Sequence, residues 1–395
     1  MIKCKLKLFF LVAAGICAGL GMMEIGMRMF PPAYLMGFIG GKFFRYDRIL
    51  GWDGLENKDG YLKNKDVRHH ACLNRYGYRG NSYEFQRNEK KRIMFLGDSF
   101  VWGTGVDDLD IFTSLMERRS DKSPEIINLG VMGYGTDQEY LLWLKKGILW
   151  KPDAAILMIH PSTDICDNLY PERYGYPKPV FRKGPDGRLV LLNVPVPRKL
   201  APWSYSPQSV SAGQPEWARI LLNHSMAVNL FMKAACNNNA IQNYLEKRKI
   251  IPSRLSECDR KHLVYSKRLD QKQAAAWELM FSLVEKLRAS AEKSGSRFCV
   301  CIAPSVEQVY PEMRRQLLRN PVFMPHVGNL DSDAPNRRII AWCRKKNIHV
   351  IDLLPDLRKA GMSDPYLYFP INRHWTAGGH AVVAETLSKD SWLFK

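Results

Sequence analysis

The sequence has no CxxC pair among its nine cysteines and no Cys/His grouping at metal-ligand spacing, which argues against the common zinc frameworks. It has no internal repeat and no long low-complexity tract, and with 46% hydrophobic and 25% charged residues it reads as globular and not disordered. Helix-turn-helix, zinc-finger and RNP-like signatures are also missing, so no nucleic-acid partner is expected. Nothing in the pattern asks for a cofactor or a metal. Acid is in deficit: 39 Asp and Glu stand against 58 Lys and Arg, a net charge of +19 that attracts polyanions such as anionic lipid or acidic polysaccharide. The basic clusters at Lys90-Lys91-Arg92, Arg314-Arg315 with Arg319, and Arg344-Lys345-Lys346 read first as solvated helix faces.

The 395 residues are enough for one large core with an insertion. At the N-terminus, Lys3, Lys5 and Lys7 precede sixteen uncharged positions, 8–23, and Ile25-Gly26-Met27 can extend the run past Glu24. This pattern predicts a single transmembrane helix with a cytoplasmic N-terminus and the body outside the inner membrane, in the periplasm. A cleaved signal peptide, with Gly19-Leu20-Gly21 as an imperfect cleavage site, is the competing reading. Cys17 lacks the surroundings of a lipoprotein cysteine. The expected organisation is a stub and anchor at 1–30, a lead-in at 31–90 and a main domain at 91–395 interrupted at about 171–260.

Short apolar runs at 92–96, 125–129, 154–160, 298–303 and 349–353 read as strands buried on both faces. Helical patterns lie between them. Thr136-Asp137-Gln138-Glu139 reads as a capping box opening a helix to about residue 148. Residues 271–292 carry an apolar stripe and stop at Gly295, and Thr376 can cap the last helix. This rhythm predicts an α/β fold with a parallel, doubly wound sheet of about five strands. The interruption contains a hairpin, 179–181 with 189–192 turned at Gly184-Pro185-Asp186-Gly187, and a helix from Pro215 through Ala235. Cys299 and Cys301 read as small core residues, while Cys236 and Cys258 are candidates for a disulfide in an oxidising compartment.

Four blocks carry chemistry. The first is Gly97-Asp98-Ser99 with Gly103-Thr104-Gly105; the second is Asn128-Leu129-Gly130. The third is His160-Pro161-Ser162-Thr163-Asp164 with Asp167-Asn168; the fourth is Asn372-Arg373-His374-Trp375, with Gly379-His380 behind it. The first three fall at carboxyl ends of predicted strands, where open α/β sheets place reactive groups. A serine there needs a base and an oxyanion site, and histidine is the natural base near neutral pH.

In order and spacing these blocks resemble the SGNH (GDSL) hydrolase superfamily, more closely its membrane-anchored bacterial members. The resemblance implies a three-layer α/β/α flavodoxin-like domain and an acyl-ester hydrolase or acyltransferase. It makes Ser99 the nucleophile and His374 the base, with the N–H groups of Ser99 and Gly130 facing the oxyanion. Two positions depart from the family. Thr163 stands where an Asn donates to the oxyanion, with Asn168 as the alternative donor, and Asn372 stands where an Asp orients the base, with Asp364 as the alternative.

Among the remaining candidates, Asp98 reads as a brace of the turn, His380 as a packing residue and His160 as a weak candidate for substrate contact. His69-His70 is expected to face solvent, and Trp102 and Trp375 either pack in the core or line a sugar cleft. The expectation is a serine esterase acting on acyl groups of an envelope polysaccharide or glycolipid. A degenerate domain that binds glycan or an assembly partner is the alternative.

Overall fold

A computed structural model describes residues 2–30, 43–119, 124–174, 176–198, 215–235, 238–250, 264–319 and 328–394. The chain divides into two compact units, one of residues 1–41, 174–176 and 198–256, the other of 42–173, 177–197 and 257–395.

The larger unit is built on a five-stranded sheet of β5 (Arg92–Gly97), β6 (Glu125–Gly130), β7 (Ala154–Ile159), β10 (Arg297–Ile302) and β11 (His349–Asp352). All pairings are parallel, and the order is β11-β10-β7-β5-β6. The first strand in sequence therefore sits inside the sheet with the second on one side and the third on the other. Between β5 and β7 the connections run off to opposite faces, and at the carboxyl ends of such a switch point open α/β sheets place their ligands. Register aligns those ends: Gly97 lies opposite Gly130, and Leu96 opposite Leu157.

Side chains alternate across the sheet. Ile93, Phe95, Ile156, Met158, Cys299, Cys301 and Ile351 face one layer, which includes α3 (Phe112–Glu117), α11 (Leu354–Gly361) and α12 (Ala377–Lys389). The opposite face is covered by α4 (Thr136–Lys145) and α9 (Gln271–Lys293), joined where Trp143 Nε1 donates to Ser290 Oγ at 3.0 Å. Six tryptophans, among them Trp143 and Trp277, are fully buried, each contributing ~2–3 kcal/mol of apolar transfer. Cys299 and Cys301 sit in this core as expected.

Residues from 42 onward, read as a lead-in, pack in the same unit as the sheet. They form two antiparallel ribbons, β1 (Phe44–Asp47) with β2 (Gly51–Gly54) and β3 (Asp59–Lys63) with β4 (Arg68–Cys72). The predicted hairpin of the interruption is present as β8 (Val180–Lys183) with β9 (Leu189–Leu192).

Three sequence expectations are corrected. The capping box at 136–139 does not form: Gly135 is the N-cap residue, the Thr136 hydroxyl and both Glu139 oxygens are buried without partners, and Asn168 Oδ1 takes the Asp137 N–H instead. The helix ends at Lys145 and continues only as a short 3-10 turn, Gly147–Trp150. The expected helix 215–235 is two, α6 (Glu216–His224) and α7 (Met226–Ala235), because Ser225 is extended and its hydroxyl caps Val228.

The smaller unit contains α1 (Ile2–Met29), α6, α7 and α8 (Asn239–Lys247). The Glu24 carboxylate accepts from Met226 N at 2.9 Å, Ala227 N at 3.0 Å and Ser225 Oγ at 3.0 Å, capping α7 from outside. Among the described residues no helix is long and apolar enough to cross a membrane, so the expected transmembrane anchor is not supported. The uncharged run of sixteen residues rises only ~24 Å against a hydrocarbon core of ~30 Å, and beyond it Glu24 serves α7. The candidate pair Cys236 and Cys258 lies outside the described residues.

Candidate active site

β5 ends at Gly97, where a Cβ would overlap the Val101 side chain, so only glycine permits the turn. Asp98 then caps a one-turn helix, α2 (Ser99–Trp102), by accepting the Phe100 N–H at 2.9 Å. This brace matches the role read for Asp98. Ser99 occupies the first position of that turn, at the end of a central strand.

The loop after α2 reverses at Gly103 (φ +82°) and Gly105 (φ +103°), and a Cβ on Gly105 would meet the Phe369 ring at 2.6 Å. Arg79, which is buried, holds this loop. Its guanidinium donates to Gly103 O at 2.7 Å, Val106 O at 3.0 Å and Asp108 Oδ1 at 2.7 Å, and lies 4.7 Å from the centre of the Trp102 ring. Sequence reasoning did not single out Arg79, since charged residues default to the surface.

His374 arrives from the other end of the chain on a tight loop. Arg373 is left-handed (φ +62°), Phe369 N–H donates to His374 O at 2.8 Å, and Tyr368 bridges to Trp375. The loop aims His374 Nε2 at Ser99 Oγ, 2.7 Å away, across 275 residues of sequence. The two residues read as nucleophile and base are thus in direct contact. The Phe100 ring lies 5.0 Å from His374 and 4.3 Å from His160, so an aromatic layer backs the base. Burial pulls the His374 imidazole down to about 4, so it is neutral at physiological pH with a lone pair free for the serine proton.

The other expected roles fall differently. Asn372 Oδ1 accepts the backbone N–H of His374 at 2.9 Å, not the ring, and His374 Nδ1 is buried without a hydrogen-bond partner. Asp364 is engaged with the Tyr366 N–H at 2.7 Å and does not orient the ring. The Gly130 N–H donates to Asn128 Oδ1 at 2.9 Å, while Asn128 Nδ2 donates to Val101 O at 2.7 Å. Gly130 is required because a Cβ there would overlap the Trp102 backbone, so its part is close packing of β6 on α2. The Thr163 hydroxyl turns back on Asp98 Oδ2 at 3.3 Å and His160 O at 3.1 Å. Asn168 Oδ1 holds the Asp137 N–H at 3.0 Å, and its Nδ2 is buried without a partner. The turn 131–134 follows, with the Val131 N–H bonded to Gly97 O at 3.0 Å, the Tyr134 N–H to Val131 O at 3.2 Å, and a reversal at Gly133 (φ +77°).

The histidine pair is split by the alternation of β4. His70 is half-buried and binds Asp59 at 3.0 Å, but His69 is buried, correcting the expectation that both face solvent. His69 Nε2 accepts the Gly105 N–H at 3.4 Å, its ring meets Trp102 edge-on at 6.2 Å, and burial pulls it down to about 4. Trp102 and Trp375 are buried in the core and line no open cleft. His380 packs inside and takes the Phe112 N–H at 3.3 Å, and His160 is anchored by Ala303 O at 3.0 Å.

Behind the nucleophile lies a buried acidic group of Asp98, Asp137, Glu139, Asp164 and Asp167. Lys178 pairs with Asp137, and Arg173 with Asp167 at 3.0 Å. Burial pushes Asp98 up to about 6 and Glu139 and Asp164 well above the carboxylate range. Among the described residues no group of His, Cys, Asp and Glu is arranged to hold a metal ion.

No family model matches the sequence, and no curated protein matches it. Solved structures do match in outline. A member of the lipolytic G-D-S-L family from Veillonella parvula is 10% identical with a TM-score of 0.38, covering 76% of this chain and 98% of its own. An α/β hydrolase from the metagenome of Lake Arreo is 8% identical with a TM-score of 0.38, covering 79% and 99%. A catalytic mutant of an acetylxylan esterase from Geobacillus stearothermophilus is 9% identical with a TM-score of 0.35, covering 75% and 92%. Likeness at this level assigns neither family nor substrate. A Gly-Asp-Ser turn on the first sheet strand thus presents its serine to a histidine from the C-terminal block, within hydrogen-bond reach.

Proposed function

We propose that the protein is a serine ester hydrolase working through an acyl-enzyme on Ser99. The observation that carries this reading is the 2.7 Å contact between Ser99 Oγ and the neutral His374 imidazole. As Oγ bonds to the ester carbonyl carbon, its proton passes to His374 Nε2. The imidazolium then protonates the departing alcohol, and water, activated by the same nitrogen, releases the acid. Transfer to a sugar hydroxyl in place of water follows the same route. Backbone N–H groups at the start of α2, that of Ser99 first, supply the oxyanion donors, since Gly130 and Thr163 are committed elsewhere.

The substrate class within this proposal is a short acyl ester, acetyl first, on a carbohydrate of a cell-envelope polysaccharide or glycolipid. The net charge of +19 favours an anionic glycan. Export from the cytoplasm belongs to the same proposal and rests on Lys3, Lys5 and Lys7 ahead of the uncharged run at 8–23. The test is intact-mass labelling of the full chain with a fluorophosphonate beside Ser99→Ala, followed by acetate release from a panel of acetylated neutral and acidic glycans. One adduct on the parent and none on the variant is the expected result.

A second reading, a domain that binds glycan without cleaving it, draws on the unpartnered His374 Nδ1 and the inward Thr163 hydroxyl. It predicts no adduct on either protein together with saturable glycan binding.

A further inference from the structure

The β3–β4 ribbon ends in a tight tip. Asn64 Oδ1 accepts the N–H groups of Asp66 and Val67, each at 2.8 Å, and the Asn64 N–H donates to Val67 O at 3.0 Å. Because Asn64 serves the turn, the Asp66 carboxylate is directed outward, onto the loop that carries the base. Its Oδ1 accepts the Ile371 N–H at 3.0 Å and its Oδ2 the Asn372 N–H at 2.6 Å. Asn372 in turn receives the His374 N–H at 2.9 Å. A carboxylate from far upstream is therefore linked through Asn372 to the backbone of His374, and not to its ring, at a site where the fourth block holds Asn372 in place of an acid.

The charges around His374 come from several elements. Burial is the largest influence and disfavours its cation; the Asn372 backbone carbonyl favours it next, His69 on β4 disfavours it, and Asp66 at the ribbon tip favours it by charge. His380 on α12 is coupled to it unfavourably. Arg373 beside it has Glu307 within 4.0 Å. Asp66 is thus the carboxylate whose field favours protonation of the ring, and it is fixed on the loop that aims the ring.

We propose that Asp66 is the positioning residue of the base: it pins the 371–374 loop and supplies the negative charge that Asn372 does not. The inference rests on the Ser99–His374 reading. During attack, the proton that leaves Ser99 Oγ makes His374 a cation, and the Asp66 carboxylate stabilises that cation until the proton passes to the leaving alkoxide. No proton reaches Asp66 itself. The second function of the ribbon is to deliver His69 to the Gly105 N–H, so one hairpin touches both the nucleophile loop and the base loop.

The test uses the full chain, Asp66→Asn, and Asp66→Asn combined with Asn372→Asp. Fluorophosphonate labelling is measured first, then kcat, KM and the pH dependence of kcat/KM on p-nitrophenyl acetate, with His374 titrated by side-chain NMR. In the parent, activity falls in acid with a midpoint near the His374 value of about 4. Asp66→Asn is expected to move that midpoint lower and reduce kcat roughly tenfold with KM unchanged, one pKa unit being a tenfold change. The double variant is expected to regain most of kcat and shift the midpoint upward. A parent that labels and hydrolyses while Asp66→Asn keeps its acid midpoint, whether or not kcat falls, overturns the charge role and leaves the esterase reading standing. A parent that never labels at Ser99 overturns both.

Discussion

At the residue scale, the pairing of Ser99 with His374 was legible because each sits in a short block with a chemical reason for its order. Ser99 follows an apolar run broken by Gly97, and His374 precedes a helix capped by Thr376. Partners were not legible, because a side-chain hydrogen bond is decided by what folding brings near. Gly130 shows the difference. Its glycine is demanded by the Trp102 backbone, so Gly130→Ala is expected to destabilise the fold by ~1–3 kcal/mol, in the range of overpacked cores, as read from a chemical denaturation midpoint. Asn128→Ala provides the companion measurement: it frees the Gly130 N–H and strips a bond from Val101 O, and a fall in stability is expected without a gain in labelling rate.

At the scale of elements, five strands could be placed to within about two residues, since buried parallel strands are short apolar runs bounded by turns. The ribbons of residues 44–72 could not. They are polar, and a strand pattern such as Arg68-His-His-Ala-Cys72 fits either register until a partner selects the buried face. The same ambiguity hid His69. Arg79, just downstream, ties the ribbons to the loop after Ser99 through four carbonyl oxygens and Asp108. Arg79→Met is expected to cost ~3 kcal/mol or more, as removal of one partner of a buried charged network does, and to raise hydrogen exchange across 102–108. Labelling of Ser99 should slow in parallel, while Arg79→Lys restores only part, since an ammonium cannot span the same fork.

At the scale of the whole molecule, two sets of buried groups pull stability in opposite directions with pH. The folded state holds Asp98 protonated up to about 6, whereas an unfolded carboxyl ionises near 3.8, so this set loses stability as pH rises through that window. His69 and His374 stay neutral down to about 4 against 6.5 unfolded, so they lose stability as pH falls through theirs. Glu139, with no partner for either oxygen, belongs to the first set. Glu139→Gln is expected to raise Tm at pH 8 and to leave it unchanged below about pH 4.5, where the native carboxyl is protonated in both states. A Tm gain of equal size at both pH values would mean that packing, not ionisation, is what Gln improves.

The separation of 275 residues between Ser99 and His374 also bears on biosynthesis. At roughly 5–20 residues per second, the ribosome finishes the serine strand on the order of tens of seconds before it makes the histidine loop. Throughout that interval the serine is an ordinary alcohol. On the proposed mechanism the growing chain therefore cannot acylate itself on passing esters, and any product truncated before His374 is chemically silent.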